Sequence, residues 1–307
     1  MKVAFMFPGQ GSLEEGMGRE IVEAVPEARQ VFRDGSEAAG IDLEKLCFDT
    51  PMSELVETEN QHPALVATCL AINEAIRVRG FKPDFVVGHS VGEFAALAAA
   101  QSLSAADAIA LVRERGLAMA EAAKKNPGSM AAILGLDDET VERICRRILN
   151  VWPANYNCPG QIVVSGENPA VEEACEAAEQ EGARRAVKLR VSGAFHSPLV
   201  ARAADRLRPA LDRVKFVEPT APFMSTVTAR IENAKRMGPL LVDQLTAPVR
   251  FTQAAQALLR EGVHTYVEVG PGNVLSGLIK RIDRNVKTIS VSTPEALDKL
   301  EETLASA

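Results

Sequence analysis

Pro83-Asp-Phe-Val-Val-Gly-His-Ser-Val-Gly-Glu93 constrains this chain more than any other stretch. An apolar run suited to a buried strand meets Gly88-His-Ser90-Val-Gly92, and an alanine-rich helix former follows over Glu93–Ala100. Strand, tight turn and helix are the setting in which a G-x-S-x-G sequence presents a seryl nucleophile. The glycines permit a turn that a Cβ would obstruct, and the helix start places backbone N–H groups beside the serine. Ser90 is therefore the candidate nucleophile.

The surrounding chain alternates strand and helix. Lys2–Phe7 is an almost unbroken apolar run stopped by Pro8-Gly9, the pattern of a strand buried on both faces. Helices are expected around 19–34, 64–79 and Ala105–Ala123. Toward the C-terminus a strand is expected over Thr265–Val269, then a helix over 273–282 and a strand over Val286–Ser290. This rhythm predicts an α/β body with a mostly parallel, hydrolase-like sheet. Between about 127 and 191 the order becomes βαββαβ. The expected strands are Met130–Leu134, Val151–Asn155, Gln161–Ser165 and Ala186–Val191, with helices over Asp138–Leu149 and Pro169–Glu181. That order is ferredoxin-like. The expected organisation is a body of residues 1–126 and 192–307 that carries an inserted ferredoxin-like subdomain, 127–191.

Composition narrows the partners. A net charge of −7 argues against nucleic acid or an anionic membrane surface as the main partner. No apolar stretch approaches a membrane-spanning length. The five cysteines form no C-x-x-C pair, which fits reduced thiols in the cytoplasm and offers no metal-ligand pattern. The basic groups Arg184–Arg190 and Lys280-Arg281 read as solvated faces.

A seryl nucleophile needs a base, and four histidines are available. His89 adjoins Ser90, and neighbouring side chains diverge in a tight turn. His264 opens a predicted body strand, where a structural role at an edge is expected. His62 precedes Pro63 at a helix start and is ambiguous. His196 lies in Ser192-Gly-Ala-Phe-His-Ser-Pro198, a loop leaving the inserted subdomain that can reach back over the elbow. No Asp or Glu stands out as a third member, so a backbone carbonyl could orient the imidazole instead. Pro8-Gly-Gln-Gly-Ser12 follows the first strand, where strand-end loops border ligand crevices. It reads either as a plain turn or as a donor of oxyanion-binding amides beside that of Val91. Arg113 and Arg115 are two positions apart and cannot share a helix face. One is expected in solvent; the other, turned inward, would suit a substrate carboxylate.

The chain resembles the malonyl-CoA:acyl-carrier-protein transacylases of fatty-acid synthesis and the related acyltransferases of polyketide synthesis. The resemblance runs in order through Phe7-Pro-Gly-Gln-Gly-Ser12, Gly16-Met-Gly18, Gly88–Glu93, and Arg113-x-Arg-Gly116 with Met119. It continues through Gly128–Gly135, Asn155-Tyr-Asn-Cys-Pro-Gly-Gln161, Gly193-Ala-Phe-His-Ser197, Pro248-Val-Arg-Phe251 and Glu268-Val-Gly-Pro-Gly272. It implies Ser90 as nucleophile, His196 as base, and the amides of Gln10 and Val91 as the oxyanion hole. Arg115 would receive the malonyl carboxylate, and a main-chain carbonyl near Thr246–Arg250 would hold His196. Asn157 and Gln161 match polar positions by the cleft, and Phe195 accompanies malonyl selection. Relatives commonly carry glutamine where Leu13, His62 and Ala120 stand, the His62 position lying near the pocket entrance.

The implied reaction moves malonyl from coenzyme A to the phosphopantetheine thiol of holo acyl carrier protein, through a malonyl-serine, in a monomer with no bound cofactor or metal. A thioesterase or other serine hydrolase would share the elbow. A standalone polyketide acyltransferase with another extender unit would share most of the site. A non-catalytic carrier-docking subunit would be expected to lack Ser90 or His196.

Overall fold

The computed structural model describes residues 2–305. Ten strands occur among them: β1 (Lys2–Phe7), β2 (Phe85–Gly88), β3 (Ser129–Leu134), β4 (Val151–Cys158), β5 (Gln161–Gly166), β6 (Arg185–Lys188), β7 (Phe223–Met224), β8 (Ile231–Glu232), β9 (Val263–Val269) and β10 (Lys287–Val291). Six form one sheet in the order β10-β9-β1-β2-β7-β8, parallel except for the β7–β8 pair.

Both faces of this sheet are covered, which is why β1 is nearly all apolar. Val3, Phe5 and Phe7 point into the larger core with the helices Pro26–Ala39, Thr58–Val78 and Ala105–Lys125. Ala4 and Met6 face a second core under Phe251–Arg260 and Val274–Ile282. β1 and β2 lie side by side in the middle of the sheet, so the loops leaving them, Pro8–Ser12 and His89–Val91, emerge together at one end.

The remaining four strands form an antiparallel sheet in the order β4-β5-β3-β6, with helices Asp138–Arg147 and Asn168–Gln180 over its own core. The βαββαβ chain order and this strand order are those of a ferredoxin-like unit. Two of its strands differ from expectation beside the body. β4 runs on to Cys158 because its far end is held by the body: Tyr156 N–H donates to Val249 O, and Val249 N–H to Ala154 O, each at 2.8 Å. β6 stops at Lys188, short of the expected Val191, and Leu189 and Val191 turn toward a cavity between the two units.

The helix expected at 19–34 is two helices, Arg19–Ala24 and Pro26–Ala39, divided at Val25 by the following proline's preference for extended backbone. The helix expected at 64–79 begins earlier, at Thr58, with Pro63 inside it. Pro63 has no N–H to offer Glu59 O, and that carbonyl accepts from Arg113 Nη1 at 2.6 Å. Arg113 is thus half-buried and structurally engaged, where a solvent position was one expectation. The short strands β7 and β8 had no counterpart in the sequence reading.

Candidate active site

The elbow depends on backbone contacts that leave no room for side chains. A Cβ on Gly88 would overlap the backbone of Gly92 and Glu93, and one on Gly92 would overlap the carbonyl oxygens of Phe7 and Pro8. One on Gly9 would stand 2.5 Å from His89 O. Gly92→Ala should therefore cost about 3 kcal/mol or more, since backbone cannot yield as a flexible side chain does. Gly16→Ala, where only a φ of 74° opposes the methyl and nothing lies within 4 Å, should cost about 1–2 kcal/mol. Urea midpoints of the two variants check the order.

At the apex Ser90 adopts φ 52°, a left-handed conformation uncommon for serine. Its Oγ is 2.8 Å from His196 Nε2. On the other side of that ring, Nδ1 is 2.9 Å from Gln244 O and 3.2 Å from Ala247 O. Carbonyls only accept, so the proton sits on Nδ1, and the Nε2 lone pair faces the seryl O–H. The nearer carbonyl belongs to Gln244, two positions before the expected loop; Ala247 lies within it. His196 itself has φ 57° and is 5% exposed. Burial, then the charge of Arg115, lowers its pKa to about 3, while the bonds to Gln244 and Ala247 and the proximity of His89 have smaller effects.

Arg115 is fully buried on the Ala105–Lys125 helix. Its Nη2 donates to Ser90 Oγ and to Gln244 Oε1, both at 3.1 Å. Gln244 Nε2 donates to Ser90 O at 2.9 Å and also to the Glu93 carboxylate. Glu93 further accepts from the Thr226 N–H and hydroxyl. Surrounded by donors, Glu93 is best satisfied as a carboxylate, although burial raises its pKa. Gln244 thus links a buried anion to a buried cation and supplies the carbonyl that holds His196. Burial pulls Arg115 down to about 9 and Glu93 opposes it, so the guanidinium stays charged at neutral pH.

A cavity of about 130 Å³ opens beside Ser90 and His196. Among its lining residues are Gly9, Gln10, Met119, Asn157, Gln161 and Phe195. Asn157 Oδ1 is 2.9 Å from His89 Nε2, which directs the His89 ring to the small subdomain and away from the Ser90–His196 pair. Gln161 Oε1 accepts from Arg281 at 2.7 Å. Arg115, the expected carboxylate receptor, and His62, an expected pocket residue, do not line the cavity; Arg115 contacts Ser90, and His62, 1% exposed, packs on the guanidinium. His62 is therefore deep in the protein, unlike the entrance position expected from the family. The amides of Gln10 and Val91 donate no hydrogen bond to protein among the described residues. His264 is exposed at the start of β9, an interior strand of the sheet.

Sequence reasoning missed Glu93 and Gln244 as parts of this site. Glu93 had a signal, a lone charge opening an apolar alanine-rich helix. Gln244 had none, because its importance comes from four partners that are remote in sequence or belong to its own backbone. Among the described residues no group of three or more His, Cys, Asp or Glu could hold a metal ion. No helix among them is long and apolar enough to cross a membrane.

A seryl hydroxyl at a strand–turn–helix apex, paired with an imidazole beside a small cavity, puts the protein in the class of α/β enzymes with serine chemistry. Within that class, the chain belongs to the acyl transferase domain family, which matches residues 4–295. A relative from Bacillus subtilis (strain 168), named malonyl CoA-acyl carrier protein transacylase, is 44% identical across 99% of this chain and 97% of its own. The crystal structure of the acyl-carrier-protein-S-malonyltransferase from Bartonella henselae matches with a TM-score of 0.96 at 40% identity, covering 99% of this chain and all of that one (100%). A malonyl-transacylase solved with its type II polyketide-synthase acyl-carrier protein matches at 0.95 and 38% identity, over 99% and 100% of the two chains.

Proposed function

We propose that the protein transfers a malonyl group from coenzyme A to the phosphopantetheine thiol of an acyl carrier protein, through a malonyl ester on Ser90. The observation that carries this reading is Arg115: a fully buried cation that touches the nucleophile and keeps Nε without a hydrogen-bond partner. Such a cation suits an acyl group that brings its own carboxylate. The names of the relatives agree with that chemistry.

The steps follow from the positions. His196 Nε2 takes the Ser90 proton as Oγ attacks the thioester carbonyl, and the imidazolium keeps its Nδ1–H on the two carbonyls. Arg115 Nη2 already donates to Oγ, which favours developing alkoxide character. The unengaged amides of Gln10 and Val91 are the candidate donors to the oxyanion. The tetrahedral intermediate collapses, the coenzyme A thiolate leaves, and His196 returns the proton to it. The carrier thiol then repeats the sequence in reverse, its proton passing to His196 and finally back to Ser90. Arg115 lies one helical turn from Met119, which lines the cavity, so the carboxylate would extend past Met119.

Transfer is favoured over hydrolysis because His196 leans on carbonyls, which stabilise an imidazolium less than a carboxylate would and so activate water poorly. Five unpaired cysteines suit a reducing cytosol.

The test is intact-protein mass spectrometry with malonyl-CoA and acetyl-CoA, followed by addition of holo acyl carrier protein. Arg115→Ala should lower the rate of malonyl-Ser90 formation by about a hundredfold or more, and acetyl-Ser90 formation by much less. Equal losses would remove Arg115 as the carboxylate receptor. An acyl-enzyme discharged into water with the carrier untouched would make the protein a thioesterase.

A further inference from the structure

We infer that His62 is a specificity-determining residue, its ring N–H being a second donor, beside Arg115, to the distal carboxylate of the acyl group. The inference rests on the malonyl reading above and extends it to a second residue.

His62 is 1% exposed, and among the described residues its ring nitrogens have one polar neighbour: Arg115 Nη1 lies 3.4 Å from Nδ1 and 3.2 Å from Nε2. A guanidinium has donors only, whereas a neutral imidazole always carries one N–H. Whichever ring nitrogen accepts from Arg115, the N–H on the other has no acceptor. Burial, then the charges of Arg115 and His196, holds the ring neutral. A protonated ring would carry two such donors instead of one. Next to it, Arg115 Nε is also buried without a partner. Buried polar groups are seldom left unfilled, because desolvation is then uncompensated.

Two unfilled donors on adjacent side chains, both withdrawn from water, form a receptor for an anion. A carboxylate has two oxygens with about four acceptor sites, enough to serve both. Arg115 Nη2 is 3.1 Å from Ser90 Oγ, so an acyl group on Oγ is attached beside this pair, although neither side chain lines the cavity itself. An acetyl group has no oxygens to offer them. Glutamine at the same position also presents N–H donors, which makes it the conservative replacement.

The experiment compares rates of Ser90 acylation by malonyl-CoA and acetyl-CoA in the full-length protein carrying His62→Leu, His62→Gln or Arg115→Ala. His62→Leu should lower the malonyl-to-acetyl ratio by about tenfold or more, the effect of losing one hydrogen bond to a charged group. His62→Gln should restore most of it. If Arg115→Ala collapses the ratio and His62→Leu leaves it intact, this inference fails while the carboxylate reading stands; an unchanged ratio in Arg115→Ala overturns both. Folding defects are bypassed by ring 15N–1H spectra of the unsubstituted protein. Malonylation of Ser90 should move the His62 N–H downfield and slow its exchange, and acetylation should do neither. The same spectrum in both acyl-enzymes overturns the proposal.

Discussion

Replacing Ser90 with alanine lowers acyl transfer by about 10⁵-fold or more and abolishes the covalent adduct. The scale follows from serine enzymes in which loss of the nucleophile alone removes nearly all the catalysis that the assembled group provides. Nothing else in the site can take its place. None of the five cysteines lines the cavity. His196 would keep its two carbonyls but lose its seryl partner, and Arg115 would keep Gln244. The fold should survive, because these contacts are anchored on the Gln244 side. Rapid-quench mass spectrometry with malonyl-CoA measures the effect; an adduct on the alanine variant at more than a trace would place the acyl group on another residue. Ser90→Gly should be as inactive, yet more stable than Ser90→Ala by about 1 kcal/mol. Glycine alone is at ease at a φ of 52°, where serine and alanine are equally strained. Strain held at a reactive position is common where surrounding structure enforces it.

His196 should show no acid limb near pH 6.5 in kcat/KM, and its replacement by alanine should cost about as much as loss of Ser90. The sign of the pH effect follows from the proton count. A base works only when neutral, so activity falls as pH drops through the pKa of the free enzyme. Burial and the Arg115 cation place that pKa at about 3, against an ordinary 6.5. Between pH 5 and 8 the ring is neutral and the profile should be flat. Arg115→Gln removes the largest depressing cause after burial and should move the acid limb upward. Single-turnover acylation across this range decides it. A limb centred at 6.5 in the unsubstituted protein would mean that water reaches the ring and that the site is far more open than its burial indicates.

Much of the architecture was legible because it is written locally. β1 is apolar at every position after Lys2, as a strand covered on both faces must be, and it forms where expected. The βαββαβ order was legible from alternating patterns and short turns. The expected α/β body with its smaller antiparallel unit is what the family's solved structures share with this chain. Ends that depend on neighbours were not legible. β4 lengthens because Val249 pairs with it, and β6 ends at Lys188, beyond which Leu189 keeps one bond to Met130 of β3 while it and Val191 line the cavity. β7 and β8 are two residues each, too short for any period to register.

The same division runs through the site. The elbow could be read from eleven consecutive residues, since its requirement is steric: Gly88 and Gly92 lie against backbone where no Cβ fits. The motif by itself thus determined which hydroxyl is presented, and family resemblance supplied candidates for its companions. Tertiary structure alone decided that His196, 106 positions away, stands at 2.8 Å, and that Gln244 joins Glu93, Arg115, Ser90 and the imidazole in one buried network. It alone packed His62 against the Arg115 guanidinium. Spacing along the chain encodes turns and periodic faces, whereas burial and hydrogen-bond satisfaction belong to side chains brought together only when the whole core closes.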